Sequence, residues 1–579
     1  MNPLNQLPDD DLLALLMADD AGSEHSIKAQ PHRSPTPLSF AQQRLWFLQQ
    51  LSPGSSAYNL PNALRLRGPL NTAALDTALQ QVIDRHDVLK TAFQTLDDQP
   101  RQVFDPKARI HLHEENLSGL APDARAAAVA QRIAAEAGTP FDLSLAPLIR
   151  ATLITLEHDD HILLLNMHHI VSDAWSNPIL MQDLTQAYRR ACQGHTTPLA
   201  RPSIQYADYA RWQREEYPGT PEQLRAAEYW ADYLGQGIPT LDLPADYPRS
   251  AEQQHRAGNL RLSLPATLSQ QLQGFCHQHD LTPFIVLLGA WQLLLSRYSG
   301  QRDFTVGVPN AGRNQSETQD LVGYFVSSQI YRAQLTDDLT AEAFLQALRQ
   351  QSRAAMEHAD YPIELLIERL QLQRSTQANP LFQTLFNWRV SQDQTDTLTL
   401  GELTLAFLPV AQHEAKFELS MHVDYAPQQI TTDIEYSTAL FSPATIERLG
   451  RHWLRLLQSL IEAPQQRLAE LAMLDFAEHQ QIVSTWNTTR TAYPLEYSVQ
   501  QLIEARVAAT PDAPALVFGE QQLSYDQLNR RANQLAHKLI ELGVGPDALV
   551  GIAAERSLEM VIALLAVLKA GGAYVPLDP

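Results

Sequence analysis

Cysteine is nearly absent from this chain of 579 residues. Its two cysteines, Cys192 and Cys276, lie far apart and without the CxxC spacing of a thiolate metal site. Neither a disulfide framework nor a zinc site built on thiolates can be made from them. We therefore expect the protein in a reducing compartment, the cytoplasm.

A targeting signal and a membrane-spanning run are also missing. The first twenty residues carry five aspartates and no lysine or arginine, whereas a signal peptide begins with basic residues. The longest apolar stretches, residues 284–295 and 560–568, are shorter than the roughly 20 residues that a membrane-spanning helix needs. Both are predicted to be buried helices.

Basic residues are too few for a polyanionic partner. Sixty-five acidic side chains stand against 43 basic ones, which gives a formal charge of −22 without a local basic patch. A nucleic acid would be repelled by such a surface. With 44% apolar and 19% charged residues, the composition is that of a folded globular protein.

Several catalytic motifs are absent as well. The sequence contains no GxSxG, no HExxH, no GxxxxGKS/T and no GxGxxG after a strand. These absences argue against nucleophile-elbow hydrolases, HExxH metalloproteases and the common nucleotide-binding folds.

What the sequence does contain is an alternation of helical and strand patterns. Residues 162–167 form an apolar strand, and a helix is predicted over 178–192. Two alternating stretches, 417–425 and 430–436, predict an antiparallel pair of strands. The fold class is therefore mixed α/β, with a boundary between two lobes near residue 216.

A polar cluster follows the first of these strands. His168 and His169 are adjacent, so on a strand they point to opposite faces, and parity does not decide which one serves a cavity. Asp173 could orient an imidazole or pair with a buried arginine, and we favour the pair because a short loop can turn its side chain inward. A neutral histidine can accept a proton from a reacting amine; the alternative is two structural histidines.

Two other groups are expected to be structural. Tyr206, Tyr209 and Trp212 recur at helical spacing and are predicted to lie in the core. His413 and Glu414 precede a strand without a further ligand at a useful spacing and are interpreted as a solvated pair.

Seven ordered motifs resemble those of the condensation domain of nonribosomal peptide synthetases, over about residues 36–465. They are LSFAQQRLWFL at 38–48, RHDVLKT at 85–91, HHIVSDA at 168–174, YADYARW at 206–212, GVPNAGR at 307–313 with GYFV at 323–326, HADYPIE at 358–364 and NPLFQ at 379–383. Further on, residues 523–529 and 568–578 resemble the first two motifs of an adenylation domain.

The resemblance implies a fold and its boundaries. The implied fold is two chloramphenicol-acetyltransferase-like lobes in a V-shaped pseudo-dimer with a central tunnel, followed by a partial α/β adenylation domain. The implied parts are an N-terminal tail or linker over 1–35, a first lobe over 36–215, a second lobe over 216–465, a linker over 466–498 and an adenylation fragment over 499–579.

The implied function is peptide-bond formation. The α-amine of a downstream carrier-bound aminoacyl thioester attacks an upstream carrier-bound thioester. No metal or covalently bound cofactor is implied, because both substrates arrive on the 4′-phosphopantetheine arms of partner carrier domains. The implied partners are the upstream donor carrier, the downstream acceptor carrier and the chain's own adenylation domain, without nucleic acid or membrane.

The resemblance also implies roles for the polar cluster. His169 is the implied catalytic histidine, with His168 beside it, while Asp173 is structural and pairs with an arginine such as Arg313 or Arg85. Heterocyclising relatives carry aspartate in place of the histidines, so their reaction is not expected here.

One position departs from the family pattern. Ala174 replaces the last glycine of the motif and is followed by Trp175. An alanine costs roughly 1 kcal/mol if the backbone φ is positive and little otherwise. Because His169 and Asp173 both remain, we expect activity to survive. The opening motif resembles the subclass that joins an L-configured donor to an L-configured acceptor. The alternatives are epimerisation, ester formation, a catalytically impaired carrier-docking module and a stand-alone acyltransferase that uses soluble thioesters.

Overall fold

A computed structural model describes residues 26–30, 35–195, 197–235, 237–249, 256–372, 379–390, 399–410 and 414–579. The chain divides into two compact units, Met1–Asp475 and Phe476–Pro579.

The described strands follow one another along both units. They are β1 (Thr36–Pro37), β2 (Asn59–Arg67), β3 (Thr91–Leu96), β4 (Gln99–Phe104), β5 (Leu112–Asn116), β6 (Ile149–Glu157), β7 (Asp160–His168), β8 (Ala257–Ser263), β9 (Asp303–Asn310), β10 (Ser327–Gln334), β11 (Thr384–Val390), β12 (Thr399–Leu400), β13 (Leu403–Leu408), β14 (Leu419–Ala426), β15 (Gln429–Ser437), β16 (Pro514–Phe518), β17 (Gln521–Ser524), β18 (Leu549–Ala553) and β19 (Ala573–Leu577).

The described α-helices lie between these strands. They are Phe40–Leu51, Thr72–Arg85, Pro122–Gly138, Ser176–Cys192, Tyr206–Arg211, Pro221–Leu234, Ala266–His279, Pro283–Ser299, Ala341–Glu357, Ile363–Arg369, Pro443–Glu462, Phe476–Gln480, Val499–Ala509, Tyr525–Glu541 and Leu558–Lys569.

The first lobe is built on a six-stranded sheet in the order β12-β13-β2-β7-β6-β5. β7 covers the predicted strand at 162–167 and pairs antiparallel with β2, with His168 opposite Asn59. One face of β7 places Leu163, Leu165 and Met167 in a core shared with the helices Thr72–Arg85 and Ser176–Cys192. The predicted helix at 178–192 is thus confirmed.

The second lobe carries another six-stranded sheet, in the order β10-β9-β11-β14-β15-β8. β14 and β15 pair antiparallel, as the alternating stretches 417–425 and 430–436 predict. The helix Pro283–Ser299, the predicted apolar helix, packs in this core with the fully buried Trp291. The mixed α/β prediction is confirmed by these two sheets and the helices that pack on them.

The chain crosses between the lobes at a place that the predicted boundaries do not include. β12 and β13 lie within the sequence range assigned to the second lobe, yet they form the edge of the first-lobe sheet. Leu400 and Leu403 are fully buried in the first core. A linear division at residue 216 is wrong for this segment because its apolar side chains pack against the first lobe.

Residues 26–30, which belong to the predicted N-terminal tail, contact the first lobe. Ile27 is 4% exposed and belongs to the first core, and the backbone N–H of Gln30 donates to Asp208 at 3.2 Å. An unpacked tail is therefore wrong for residues 26–30, because burial of Ile27 holds them on the lobe. Residues 1–25 and 31–34 lie outside the described residues.

The first residues of the predicted linker, which starts at residue 466, pack against the second lobe. Leu468 and Leu471 are buried in the second core, and Thr340 forms an isolated bridge with Arg467. The predicted start of the linker at residue 466 is therefore too early.

The second unit has its own small core. Its strands form the antiparallel hairpin β16-β17 and the parallel pair β18-β19. Ser524 caps the helix Tyr525–Glu541 by accepting a hydrogen bond from the backbone N–H of Gln527 at 3.3 Å. The predicted apolar helix is Leu558–Lys569, whose buried face packs in this core.

No single helix among the described residues has the length and apolar composition to cross a membrane. The helices Ala266–His279 and Pro283–Ser299 reach that length and composition only when they are taken together, and the chain bends by 107° between them.

Candidate active site

The two histidines of the polar cluster occupy different backbone environments. His168 is the last residue of β7, and His169 begins a single 3-10 turn, His169–Val171. Because the strand ends at His168, the alternation of side chains along a strand does not apply to His169. Strand alternation alone therefore could not show which histidine faces a cavity. The structure buries His168, at 1% exposure, and leaves His169 partly exposed.

The His168 ring is held inside the first lobe. Its Nδ1 accepts a hydrogen bond from the backbone N–H of Ile170 at 3.1 Å, so in the neutral ring the proton resides on Nε2. That Nε2 atom has no hydrogen-bond partner among the described residues. Burial, and secondly the charge of Lys416, lowers the pKa of His168 to about 3. The ring is therefore neutral and unavailable as a base at Nδ1.

The His169 ring has the opposite tautomer. Its Nδ1 lies 2.8 Å from the carbonyl oxygen of Ser172, and because a carbonyl only accepts, Nδ1 donates. The backbone N–H of His169 donates to the Tyr58 carbonyl at 2.8 Å. The ring makes a T-shaped contact with Tyr324, with centroids 4.9 Å apart. The proton on Nδ1 leaves Nε2 as a lone-pair acceptor on a partly exposed ring.

The electrostatics keep His169 uncharged. Burial, followed by the charge of Lys416, lowers the pKa of His169 to about 3. A neutral imidazole with an open Nε2 can accept a hydrogen bond from an amine and take its proton as positive charge develops on nitrogen.

Asp173 is fully buried and committed to structural contacts. Its carboxylate lies 3.1 and 3.4 Å from Nη2 of Arg313. It also accepts from the hydroxyl and backbone N–H of Ser176, at 2.7 and 2.9 Å, and from the backbone N–H of Phe325 at 3.1 Å. His169 bonds to Ser172 instead, so the carboxylate does not orient the imidazole.

The two arginines named as partners for Asp173 have separate locations. Arg313 makes the pair, and its Nη1 donates to the carbonyl oxygens of Thr318 and Leu321 at 2.5 and 2.6 Å. Arg85 is instead 3.0 Å from Asp183. The structure therefore corrects the alternative that placed Arg85 in the support of the site.

The residues that end the motif face outward. Ala174 is exposed and is not among the described residues with a positive φ, so its methyl group carries no left-handed strain. Trp175 is 47% exposed, and its Nε1 donates to the carbonyl of Gln319 at 3.1 Å. Trp175 thus joins the histidine loop of the first lobe to the second lobe.

Three neighbours of His169 were missed in the sequence. Tyr324 lies in the motif GYFV, which was quoted without a role for its tyrosine, and its hydroxyl accepts from Arg44 Nη2 at 3.0 Å. Tyr58 precedes β2 and Lys416 precedes β14, and neither position carries a local pattern that a single sequence reveals. The residues predicted as core, Tyr206, Tyr209 and Trp212, are buried as expected.

The remaining predicted pair is only partly described. Glu414 accepts a hydrogen bond from the Ser55 hydroxyl at 2.9 Å, so it is a contact between lobes rather than a solvated side chain. His413 lies outside the described residues.

Family comparisons agree with this arrangement of lobes and motifs. The family model described as Condensation domain matches residues 33–483, and the one described as AMP-binding enzyme matches residues 503–579. The chain belongs to the condensation domain family. Members of this family in nonribosomal peptide synthetases catalyse amide-bond formation, which is an acyl transfer.

Curated relatives of this condensation domain are much longer proteins. Tyrocidine synthase 3 of Brevibacillus parabrevis is 37% identical over 543 residues, which is 94% of this chain and 8% of the relative. Malpinin synthetase of Mortierella alpina is 39% identical over 564 residues, 97% of this chain and 7% of the relative. The chain thus spans less than a tenth of the length of these two relatives.

Solved structures share the fold of this condensation domain. The X-domain from teicoplanin biosynthesis has a TM-score of 0.71 at 25% identity, with 78% of this chain and 100% of that chain covered. The four-domain nonribosomal peptide synthetase holo-AB3403 has a TM-score of 0.76 at 22% identity, with 95% of this chain and 42% of that chain covered.

Proposed function

We propose that this chain forms a peptide bond between two carrier-bound substrates. The α-amine of a downstream aminoacyl thioester attacks an upstream aminoacyl or peptidyl thioester, and the growing chain passes downstream. Both substrates are held on 4′-phosphopantetheine arms of partner carrier domains, so the chain itself needs no cofactor. The observation that carries the proposal is the hydrogen bond of the His169 Nδ1 proton to the Ser172 carbonyl, which leaves the lone pair on Nε2 of a partly exposed residue.

His169 is proposed to orient the acceptor amine and to take its proton during attack. An α-amine has a pKa near 7.7, so a substantial fraction is nucleophilic at neutral pH. General-base assistance is worth about 10²–10⁴-fold for a base whose pKa lies near the working pH, so His169, with a pKa lowered to about 3, contributes at the low end of that range. Holding two reactants in attack geometry supplies on the order of 7–11 kcal/mol. Orientation of the two tethered substrates is therefore the larger contribution.

His168, Asp173 and Arg313 are proposed to hold the loop that presents His169. The buried carboxylate joins Arg313 to the first turn of the helix Ser176–Cys192, and Trp175 adds a second contact across the lobes. Ala174 fits this loop without strain, which supports an active domain rather than an impaired docking module.

The finer assignments belong to the same proposal. We propose that donor and acceptor are both L-configured, on the resemblance of residues 38–48, and that the adenylation domain beginning in the second unit serves the acceptor carrier. The free cysteines Cys192 and Cys276 support a reducing location, the cytoplasm.

Single-turnover transfer between two loaded carriers tests the function. We expect the intact mass of the downstream carrier to increase by the donor acyl group with the wild-type protein. His169→Ala should slow this transfer about 10²-fold without abolishing it, while thermal unfolding stays close to wild type. Carrier binding without transfer by the wild-type protein would instead identify a docking module, and an unchanged rate in His169→Ala would remove this residue from the mechanism.

A further inference from the structure

Lys416 reaches the site from the second lobe, in the segment that leads into β14. Two contacts hold that segment. Glu414 accepts from the Ser55 hydroxyl of the first lobe at 2.9 Å, and the backbone N–H of Lys416 donates to the buried carboxylate of Glu435. The lysine is therefore fixed at the place where the two lobes meet.

The charge of Glu435 opposes that of the Lys416 ammonium, but Lys416 makes no direct ion pair with a described side chain. Its Nζ lies 5.4 Å from the centroid of the Tyr58 ring, and none of the ion pairs between described side chains includes it. The side chain keeps exposed surface, yet burial among its surroundings lowers its pKa from the ordinary lysine value.

Tyr58 connects Lys416 to the two histidines. The Tyr58 carbonyl accepts a hydrogen bond from the backbone N–H of His169. The centroids of the Tyr58 and His168 rings are 6.4 Å apart. The Lys416 charge also contributes to the lowered pKa of both histidines. The Lys416 charge, which Glu435 opposes, thus acts on both histidines.

The other cations near the histidine loop are already engaged. Arg313 is buried against Asp173. Arg44 lies 3.7 Å from Glu364 and donates to the Tyr324 hydroxyl. Among these described cations, only Lys416 is available to a substrate.

We propose that Lys416 is a further catalytic residue, whose ammonium binds the carbonyl oxygen of the donor thioester and stabilises the negative charge that develops on it. This assignment rests on the proposed function. A fixed charge in a confined site stabilises such an oxyanion far more than it would in open water.

Atoms and electrons balance in the proposed step. The amine nitrogen uses its lone pair to bond to the thioester carbon, and the C=O π electrons move to the oxygen beside Lys416. When these electrons return, the C–S bond breaks and its pair leaves on sulfur. The proton lost by nitrogen passes through Nε2 of His169 to the pantetheine thiolate, which gives an amide and a free thiol.

Substitution of the lysine separates charge from structure. We expect Lys416→Met to lower the single-turnover rate about 10²-fold, in the range found when one oxyanion-stabilising group is removed. Lys416→Arg, which keeps the charge, should remain within about tenfold of wild type. Lys107→Met removes an exposed lysine of the first lobe and serves as the matched control, with no change in rate.

A second readout follows the His169 ring by NMR titration of the full chain. Burial raises the pKa of Tyr58 to about 12 and lowers that of His168 to about 3, so both are neutral at working pH. Arg44 is paired with Glu364, and Glu435 opposes the Lys416 charge. Loss of the Lys416 charge should therefore raise the pKa of His169 in Lys416→Met and leave it unchanged in Lys416→Arg. If Lys416 acted only through its packing, Lys416→Met and Lys416→Arg would change the pKa of His169 equally.

The outcomes distinguish this inference from the proposed function. Transfer by the wild type, slowed in His169→Ala but unchanged in Lys416→Met, would overturn the role of Lys416 alone. No transfer by the wild type with both carriers loaded would overturn the function and the lysine role together. If Lys416→Met melts early, Lys416→Gln replaces it, and a folded, fully active Lys416→Gln would also overturn the assignment.

Discussion

Arg313 of the second lobe and Asp173 of the first meet 3.1 Å apart, and both side chains are buried, at 3% and 0% exposure. Breaking such a pair leaves one charge without compensation, which costs about 3–5 kcal/mol. Asp173→Asn should therefore lower the free energy of unfolding by this amount, measured by urea denaturation. Asp337→Asn, which breaks the exposed pair with Arg302, is the control and should cost less than about 1 kcal/mol.

The pH dependence of transfer should follow the substrate amine rather than His169. The pKa of His169 is lowered to about 3, so the imidazole is already neutral well below neutral pH. The acceptor amine, with a pKa near 7.7, must lose its proton to attack. We expect single-turnover rates to rise about tenfold per pH unit below that value and to level off above it. An inflection near pH 6.5 that stays in place when the amine pKa is changed would contradict a neutral His169.

Restoring the family glycine should bring no gain in activity. Ala174 does not have a positive φ, so a glycine would relieve no backbone strain there. Ala174→Gly mainly increases the conformational freedom of the unfolded chain, which lowers the free energy of unfolding by about 0.4–1 kcal/mol. The transfer rate should stay within about threefold of wild type, and the melting temperature should fall slightly. A rate increase of tenfold or more would show that the methyl group obstructs the site.

Truncation in the crossing strand should destabilise the first lobe. Leu403 is fully buried there, so Leu403→Ala is expected to cost about 2–5 kcal/mol. Hydrogen exchange should show faster opening of β2 and β7, although the substitution falls in the sequence range of the second lobe. Val390→Ala, at an exposed position of β11, should leave exchange unchanged in both sheets.

Local patterns were enough to predict much of the fold. The apolar run at 162–167 and the alternating stretches at 417–425 and 430–436 became β7, β14 and β15 because each carries its own period. The position of β13 could not be predicted, since its apolar residues fit either sheet and only long-range pairing with β2 decides between them.

The site was predictable where residues are adjacent in sequence and not where the lobes meet. His168, His169 and Asp173 stand together in one motif, which is why they could be identified as a cluster. Strand parity failed to separate the histidines because the 3-10 turn begins at the second one. Lys416 comes from a distant segment, and its proximity to Tyr58 follows only from the docking of the two lobes.

The crossing strands have a consequence for biosynthesis on the ribosome. The sheet that holds His168 at the end of β7 is completed at its β2 side only after β13 has been made, roughly 240 residues later. At about 5–20 residues per second, that is a wait of roughly 10–50 s. During translation β2 has an unpaired edge throughout this interval, and that row of free N–H and C=O groups is a site at which the nascent first lobe can pair with other chains.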